Sequence, residues 1–174
     1  MKNKNVTFLT QAAMIAAIYV VLTYVFAPFS FGEVQIRISE ALTILPLFTP
    51  AAIPGLFVGC LVGNILGGAI LPDIIFGSIA TLIGAIGTYT LRQQKPVYGT
   101  LPPIIANIVI VPFVLRYGYG VALPIPFMML TVGIGSSFLP CTGSGIIHCF
   151  KPLSEYIIPS GSLTWNKKIP QHAL

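Results

Sequence analysis

The chain has 174 residues, 55% of them hydrophobic and only 7% charged, with a formal net charge of +5. A soluble domain usually carries roughly a quarter charged residues, so an ordinary water-soluble domain is excluded and the bilayer is the expected solvent. A spanning helix takes about 20 apolar residues; the length has room for roughly six spans and no separate soluble domain, and the positive charge belongs to the loop-charge rule of membrane proteins before it suggests nucleic acid.

Hydropathy and Pro/Gly punctuation predict spans at 6–27, 40–50, 53–71, 73–91, 101–117 and 123–140. The first begins after Lys2 and Lys4, has no small-residue cleavage site behind it and reads as a retained helix. Ala12 with Ala16, and Ala13 with Ala17, form a small-xxx-small surface on it, fit for internal packing or for another protein. The second span is too short to cross a core of about 30 Å as a helix. Residues 28–52 are therefore expected to combine an outer loop, a broken or tilted helix and a tight turn.

Within that stretch, Gly32-Glu33-Val34-Gln35-Ile36-Arg37-Ile38-Ser39-Glu40 concentrates polar groups between apolar runs. Each charge at membrane depth costs about 2.5–3.5 kcal/mol on insertion scales, so a compensating contact is required. Val34, Ile36 and Ile38 alternate with Gln35, Arg37 and Ser39, which predicts an extended stretch, whereas a helix aligns Glu33, Arg37 and Glu40. In either geometry Arg37 can pair with a carboxylate, as a loop-holding salt bridge or as part of a ligand site.

In the third span Gly55, Gly59, Gly63 and Gly67 recur every four residues and predict close packing on another helix of the same bundle. Cys60, Cys141 and Cys149 lack metal or redox spacing and are assigned to packing. Asn64 and Asn107 lie in apolar helices, where each amide must bond a neighbouring helix or face a polar cavity. Asp73 follows Pro72 and suits either a helix cap or ligand contact. Tyr117 and Tyr119 beside Arg116 read as an interfacial belt. Residues 1–149 are expected to form the transmembrane bundle; Pro152, Pro159 and Pro170 among polar neighbours mark 150–174 as a disordered cytoplasmic tail.

With the N-terminus cytoplasmic, counting spans puts Lys2, Lys4, Arg92, Lys95, Lys151, Lys167 and Lys168 inside and leaves Arg37 and Arg116 outside, together with Glu33, Glu40 and Asp73. The expected location is the cell membrane, multi-pass. There is no GxxxxGK[ST] loop, HExxH or GxSxG in the sequence, so neither ATP hydrolysis nor another enzymatic reaction is expected of the chain, and no cofactor or metal.

The run from Phe31 through Thr43, with Ile53-Pro54-Gly55-Leu56-Phe57-Val58-Gly59-Cys60 and Asp73-Ile74-Ile75-Phe76-Gly77-Ser78, resembles the QueT family over roughly residues 6–135. These are substrate-binding subunits of energy-coupling factor (ECF) importers, associated with queuosine precursors, the 7-deazaguanine bases. The resemblance implies an all-α membrane protein, a bundle of about six transmembrane helices with a short or broken second helix. It also implies a site open to the outside and a complex with a transmembrane coupling protein and two ATPase subunits. Docking on that protein through small residues of the first helix makes Ala12, Ala13, Ala16 and Ala17 the docking candidates. For the ligand, Glu40 is the first choice to accept the two adjacent N–H groups of a guanine-like edge. Arg37, Gln35, Asn64 and Asn107 are candidate donors to the ring carbonyl, and Glu33 or Asp73 a candidate partner for an ammonium group. After Gly135 the sequence departs from the family pattern, with Ser136-Ser137, Pro140, Gly143, Gly145 and His148, so the final helix is expected to be broken there, as a reading-frame change near position 136 would produce. The competing functional class is a self-sufficient secondary transporter; a purely structural subunit is disfavoured by the polar outer segment.

Overall fold

The computed structural model describes residues 4–27, 38–93 and 96–141. Among them the elements are helical: α1 (Lys4–Val25), a 3₁₀ segment (Ile38–Leu47), α2 (Ala52–Leu66), α3 (Leu71–Thr90), α4 (Leu101–Tyr117) and α5 (Ile125–Cys141), with a single helical turn at Pro96–Gly99 before α4. Five of the six predicted spans thus appear as α-helices close to their expected limits. The second is the short irregular element that was expected.

The 3₁₀ segment is the unusual piece. Ten residues is long for this geometry, which rarely extends beyond three or four, and Pro46 within it has no N–H to donate. Its end is tied off by Phe48 N–H to Leu45 O at 2.9 Å and by the Thr49 hydroxyl, which accepts from Ala51 N–H at 3.3 Å and so turns the chain into α2. The extended reading does not hold for Ile38 and Ser39, which already lie in the 3₁₀ turn; the packing of that turn overrides the two-residue alternation. Residues 33–37, the rest of that alternation, lie outside the described residues.

Helix directions follow from where the glycines touch their neighbours. A Cβ placed on Gly55 would lie 2.8 Å from the Ala12 carbonyl oxygen, one on Gly59 2.8 Å from Tyr19 Cβ and 3.1 Å from Ala16 Cα, and one on Gly63 3.2 Å from Thr23 Cβ. Both series rise together, so α1 and α2 run parallel, and the chain must return across the bundle between them. The 3₁₀ segment makes that return. Next, Thr81 meets Cys60 and Asn64 meets Asp73, so α3 runs antiparallel to α2. Gly84 faces Pro103 and Gly87 faces Pro102, so α4 runs antiparallel to α3. At Gly55, Gly59 and Gly63 the glycine stripe is intramolecular packing, as expected: without a hydrophobic drive between helices in lipid, association rests on close van der Waals contact.

Two apolar centres hold the bundle. Ile15 and Tyr19 of α1, Leu42 of the 3₁₀ segment, Leu56 and Cys60 of α2 and Ala85 of α3 form the first; Val111 and Leu115 of α4 with Met128 and Val132 of α5 form the second. Leu42 carries the 3₁₀ segment into the first centre, which is why an element with poor internal hydrogen bonding keeps its place. Elsewhere the surface is apolar: Val21, Tyr24, Leu71, Ile75, Ile83, Ile105 and Leu130 are all exposed, a face that lipid tails cover and water does not. By length and composition Asn5–Val25 and Leu71–Gln93 suffice to cross a membrane, while Ala52–Leu66 and Leu101–Tyr117 are apolar but shorter.

Candidate functional site

Glu40 is the point on which three elements converge. It sits in the first turn of the 3₁₀ segment, half-buried. The Asn107 side-chain amide, from the middle of α4 and almost wholly buried, donates to Glu40 Oε2 at 2.6 Å. The Ser136 hydroxyl of α5 donates to the same oxygen at 3.4 Å. A carboxylate among apolar helices is costly unless hydrogen-bonded, and a charge-assisted amide contact this short is the stronger kind. The local backbone reinforces the placement, because the Thr43 hydroxyl donates to the Glu40 carbonyl at 2.6 Å. This arrangement offers an oriented acceptor in a low-dielectric setting, suited to a ligand with paired N–H donors.

A second polar cluster lies at the end of the bundle where α2 turns into α3. Asp73 is fully buried in the first turn of α3, and the Tyr119 hydroxyl, from the α4–α5 loop, donates to its Oδ2 at 3.1 Å. Asn64 donates weakly to the Asp73 carbonyl and to Cys60 Sγ, both at 3.5 Å. The cap of α3 is Ile70, with no side-chain bond, so Asp73 is not the residue that caps the helix. It lies one turn further in, where its charge still complements the helix dipole. Tyr117 is 79% exposed and stacks on Phe113, as an interfacial belt requires. Tyr119 departs from that expectation because its hydroxyl has a buried carboxylate to meet. Arg116 donates to the Val121 and Leu123 carbonyls at 3.3 and 3.4 Å, folding the same loop back on α4.

The seven sequence-derived ligand candidates therefore divide. Glu40 and Asn107 are brought together, Asn64 and Asp73 form a separate group, and Glu33, Gln35 and Arg37 lie outside the described residues. The four alanines also divide: Ala12 and Ala16 face Gly55 and Gly59 of α2, while Ala13 and Ala17 point outward, exposed. Ser136 was missed as a site residue. The expected break at this point does not occur, since α5 continues through Ser136 to Cys141. The adjacent hydroxyls of Ser136 and Ser137 in a mostly apolar helix were the signal, because intramembrane polar groups seldom lack a partner.

The family model described as QueT transporter matches residues 9–152, past the departure after Gly135. The chain is also similar to the queuosine precursor transporter QueT of Lactococcus lactis subsp. cremoris (strain MG1363), at 32% identity over 85 residues, 48% of this chain and 50% of that protein. The match thus spans about half the length of this curated relative. No solved structure matches the chain.

Proposed function

We propose, from the premise that the chain belongs to the QueT transporter family and is an all-α membrane protein, that it is the membrane-embedded substrate-binding subunit of an ATP-driven ECF-type importer. Its substrate in this reading is a queuosine precursor, a 7-deazaguanine base taken from the outside. The observation that carries the reading is the Glu40 carboxylate, oriented by Asn107 at 2.6 Å and Ser136 at 3.4 Å within an apolar bundle. A guanine-like edge presents two adjacent N–H groups that one carboxylate accepts together, and such a charge-assisted pair is both strong and directional.

The name of the Lactococcus relative supports the substrate class. The partners of this reading are a transmembrane coupling protein and two ATPase subunits, since the chain carries no phosphate-binding loop of its own. The N-terminus is cytoplasmic in this scheme. In this scheme the end of the bundle where α1 begins, with Arg92 after α3, faces the cytoplasm, and the opposite end, with Asp73 and Arg116, faces outward. Glu33, Gln35 and Arg37 enter the proposal as further contributors to ligand binding, and Asp73 as the partner of an ammonium substituent.

Calorimetric titration of the detergent-purified protein with a 7-deazaguanine precursor, guanine competing, tests the reading. Saturable binding that is lost in Glu40→Gln is expected. Uptake by the reconstituted chain alone, driven by an ion gradient, would instead establish the secondary-transporter reading.

A further inference from the structure

One buried contact couples α1 to the candidate site. Thr23 of α1 and Ser39 of the 3₁₀ segment are each 1% exposed, and their hydroxyl oxygens are 2.9 Å apart. Thr23 Oγ1 also lies 2.9 Å from the Tyr19 carbonyl oxygen, which can only accept. One hydroxyl proton cannot serve both contacts. Both are made together when the Thr23 proton goes to Tyr19 O and the Ser39 proton goes to Thr23 Oγ1, giving a directed chain from Ser39 through Thr23 to the α1 backbone.

Ser39 immediately precedes Glu40, and in a 3₁₀ helix of about three residues per turn successive side chains point about 120° apart. Holding Ser39 against α1 therefore turns Glu40 away from α1, toward α4 and α5, where Asn107 and Ser136 meet it. The Thr43 hydroxyl on the Glu40 carbonyl secures the same turn from the other side. A 3₁₀ segment has weak rotational stiffness of its own, so the angle of Glu40 depends on these external ties. Thr23 is held in turn by Gly63, whose missing side chain lets Thr23 Cβ approach to within 3.2 Å of where a Cβ would stand.

We propose that Thr23 and Ser39 are positioning residues for ligand recognition: their hydroxyl pair sets the direction of the Glu40 carboxylate and makes the site sensitive to the seating of α1. The inference rests on the binding reading above, with Glu40 as the acceptor for the paired N–H edge.

The test is calorimetric affinity of the full chain in detergent for a 7-deazaguanine precursor and for its analogue lacking the exocyclic amine. The variants are Thr23→Val, Thr23→Ser and Ser39→Ala. Valine has the shape of threonine without the hydroxyl, and serine keeps it. The expected result is that Thr23→Val and Ser39→Ala each weaken the amine-bearing ligand about five- to tenfold, the scale of one ordinary net hydrogen bond. The analogue is weakened much less, so discrimination between the ligands shrinks, and Thr23→Ser stays near the wild-type affinity. Equal weakening of both ligands, or a loss in Thr23→Ser as large as in Thr23→Val, overturns the proposal in favour of plain packing. Wild-type affinity in Thr23→Val with binding still lost in Glu40→Gln overturns it while leaving the binding function intact. A folded wild-type protein that binds neither ligand overturns both.

Discussion

Asn107 and Glu40, separated by 67 positions in the chain, meet at 2.6 Å, so that an amide from the middle of α4 orients a carboxylate on the 3₁₀ segment. Cutting that contact leaves a half-buried charge with one strong donor fewer. Asn107→Ala is therefore expected to lower stability by about 1–3 kcal/mol, read as a lower melting temperature in detergent, and to weaken deazaguanine binding. Unchanged melting and binding would mean that the pair orients nothing.

The α1–α2 seam makes a graded prediction. At Gly59 an added methyl would lie 2.8 Å from Tyr19 Cβ and 3.1 Å from the Ala16 backbone, whereas at Gly63 its nearest neighbour is the Thr23 side chain at 3.2 Å. Gly59→Ala should cost about 1–3 kcal/mol by overpacking, and Gly63→Ala distinctly less, because its nearest contact is at 3.2 Å where that at Gly59 is at 2.8 Å. Thermal unfolding of the two variants in the same detergent gives the ranking, and the reverse order would contradict the parallel seating of α1 on α2.

Tyr119 and Asp73 form a pair suited to a double-mutant cycle. Tyr119→Phe removes the hydroxyl 3.1 Å from a fully buried carboxylate and should destabilise the protein by about 1–2 kcal/mol. In the Asp73→Asn background, where no charge needs compensating, the same change should cost less. Equal costs in both backgrounds would show that the two groups act independently.

The four alanines of α1 should separate by face. Ala13→Trp and Ala17→Trp lie on the exposed side, so they should leave ligand binding near wild type while preventing co-purification with the proposed coupling protein. Ala16→Trp points at Gly59 and should unfold the chain before any assembly is tested. Normal complex formation by the Ala13 and Ala17 variants would remove this face from the docking surface.

Cys60 provides an internal gauge for all of these variants. It is fully buried and contacted by the Thr81 hydroxyl at 3.3 Å, so with Cys141 and Cys149 replaced by serine a maleimide should label it in the native protein far more slowly than in denaturant. Rapid labelling of Cys60 in that folded protein would contradict the packing of α2 on α3.

Helical class, the order of the helical elements and the irregular second element were legible in the residues alone. Hydropathy is a local property summed along the chain, and the eleven or so apolar residues near position 45 are too few for a helical span whatever surrounds them. Polar outliers such as Glu40, Asn64, Asp73 and Asn107 were equally visible, because each is anomalous among apolar neighbours. Their partners were not visible. Glu40 finds Asn107 and Ser136 67 and 96 positions away, and Asp73 finds Tyr119 46 positions away, distances along the chain at which nothing local records a contact. The same limit divided the alanines of α1. Four-residue spacing marks two stripes offset by a single residue, and only the parallel seating of α2 decides that Ala12 and Ala16 are covered while Ala13 and Ala17 are left outside. Periodicity names the faces of a helix; the neighbour that fills the groove selects among them.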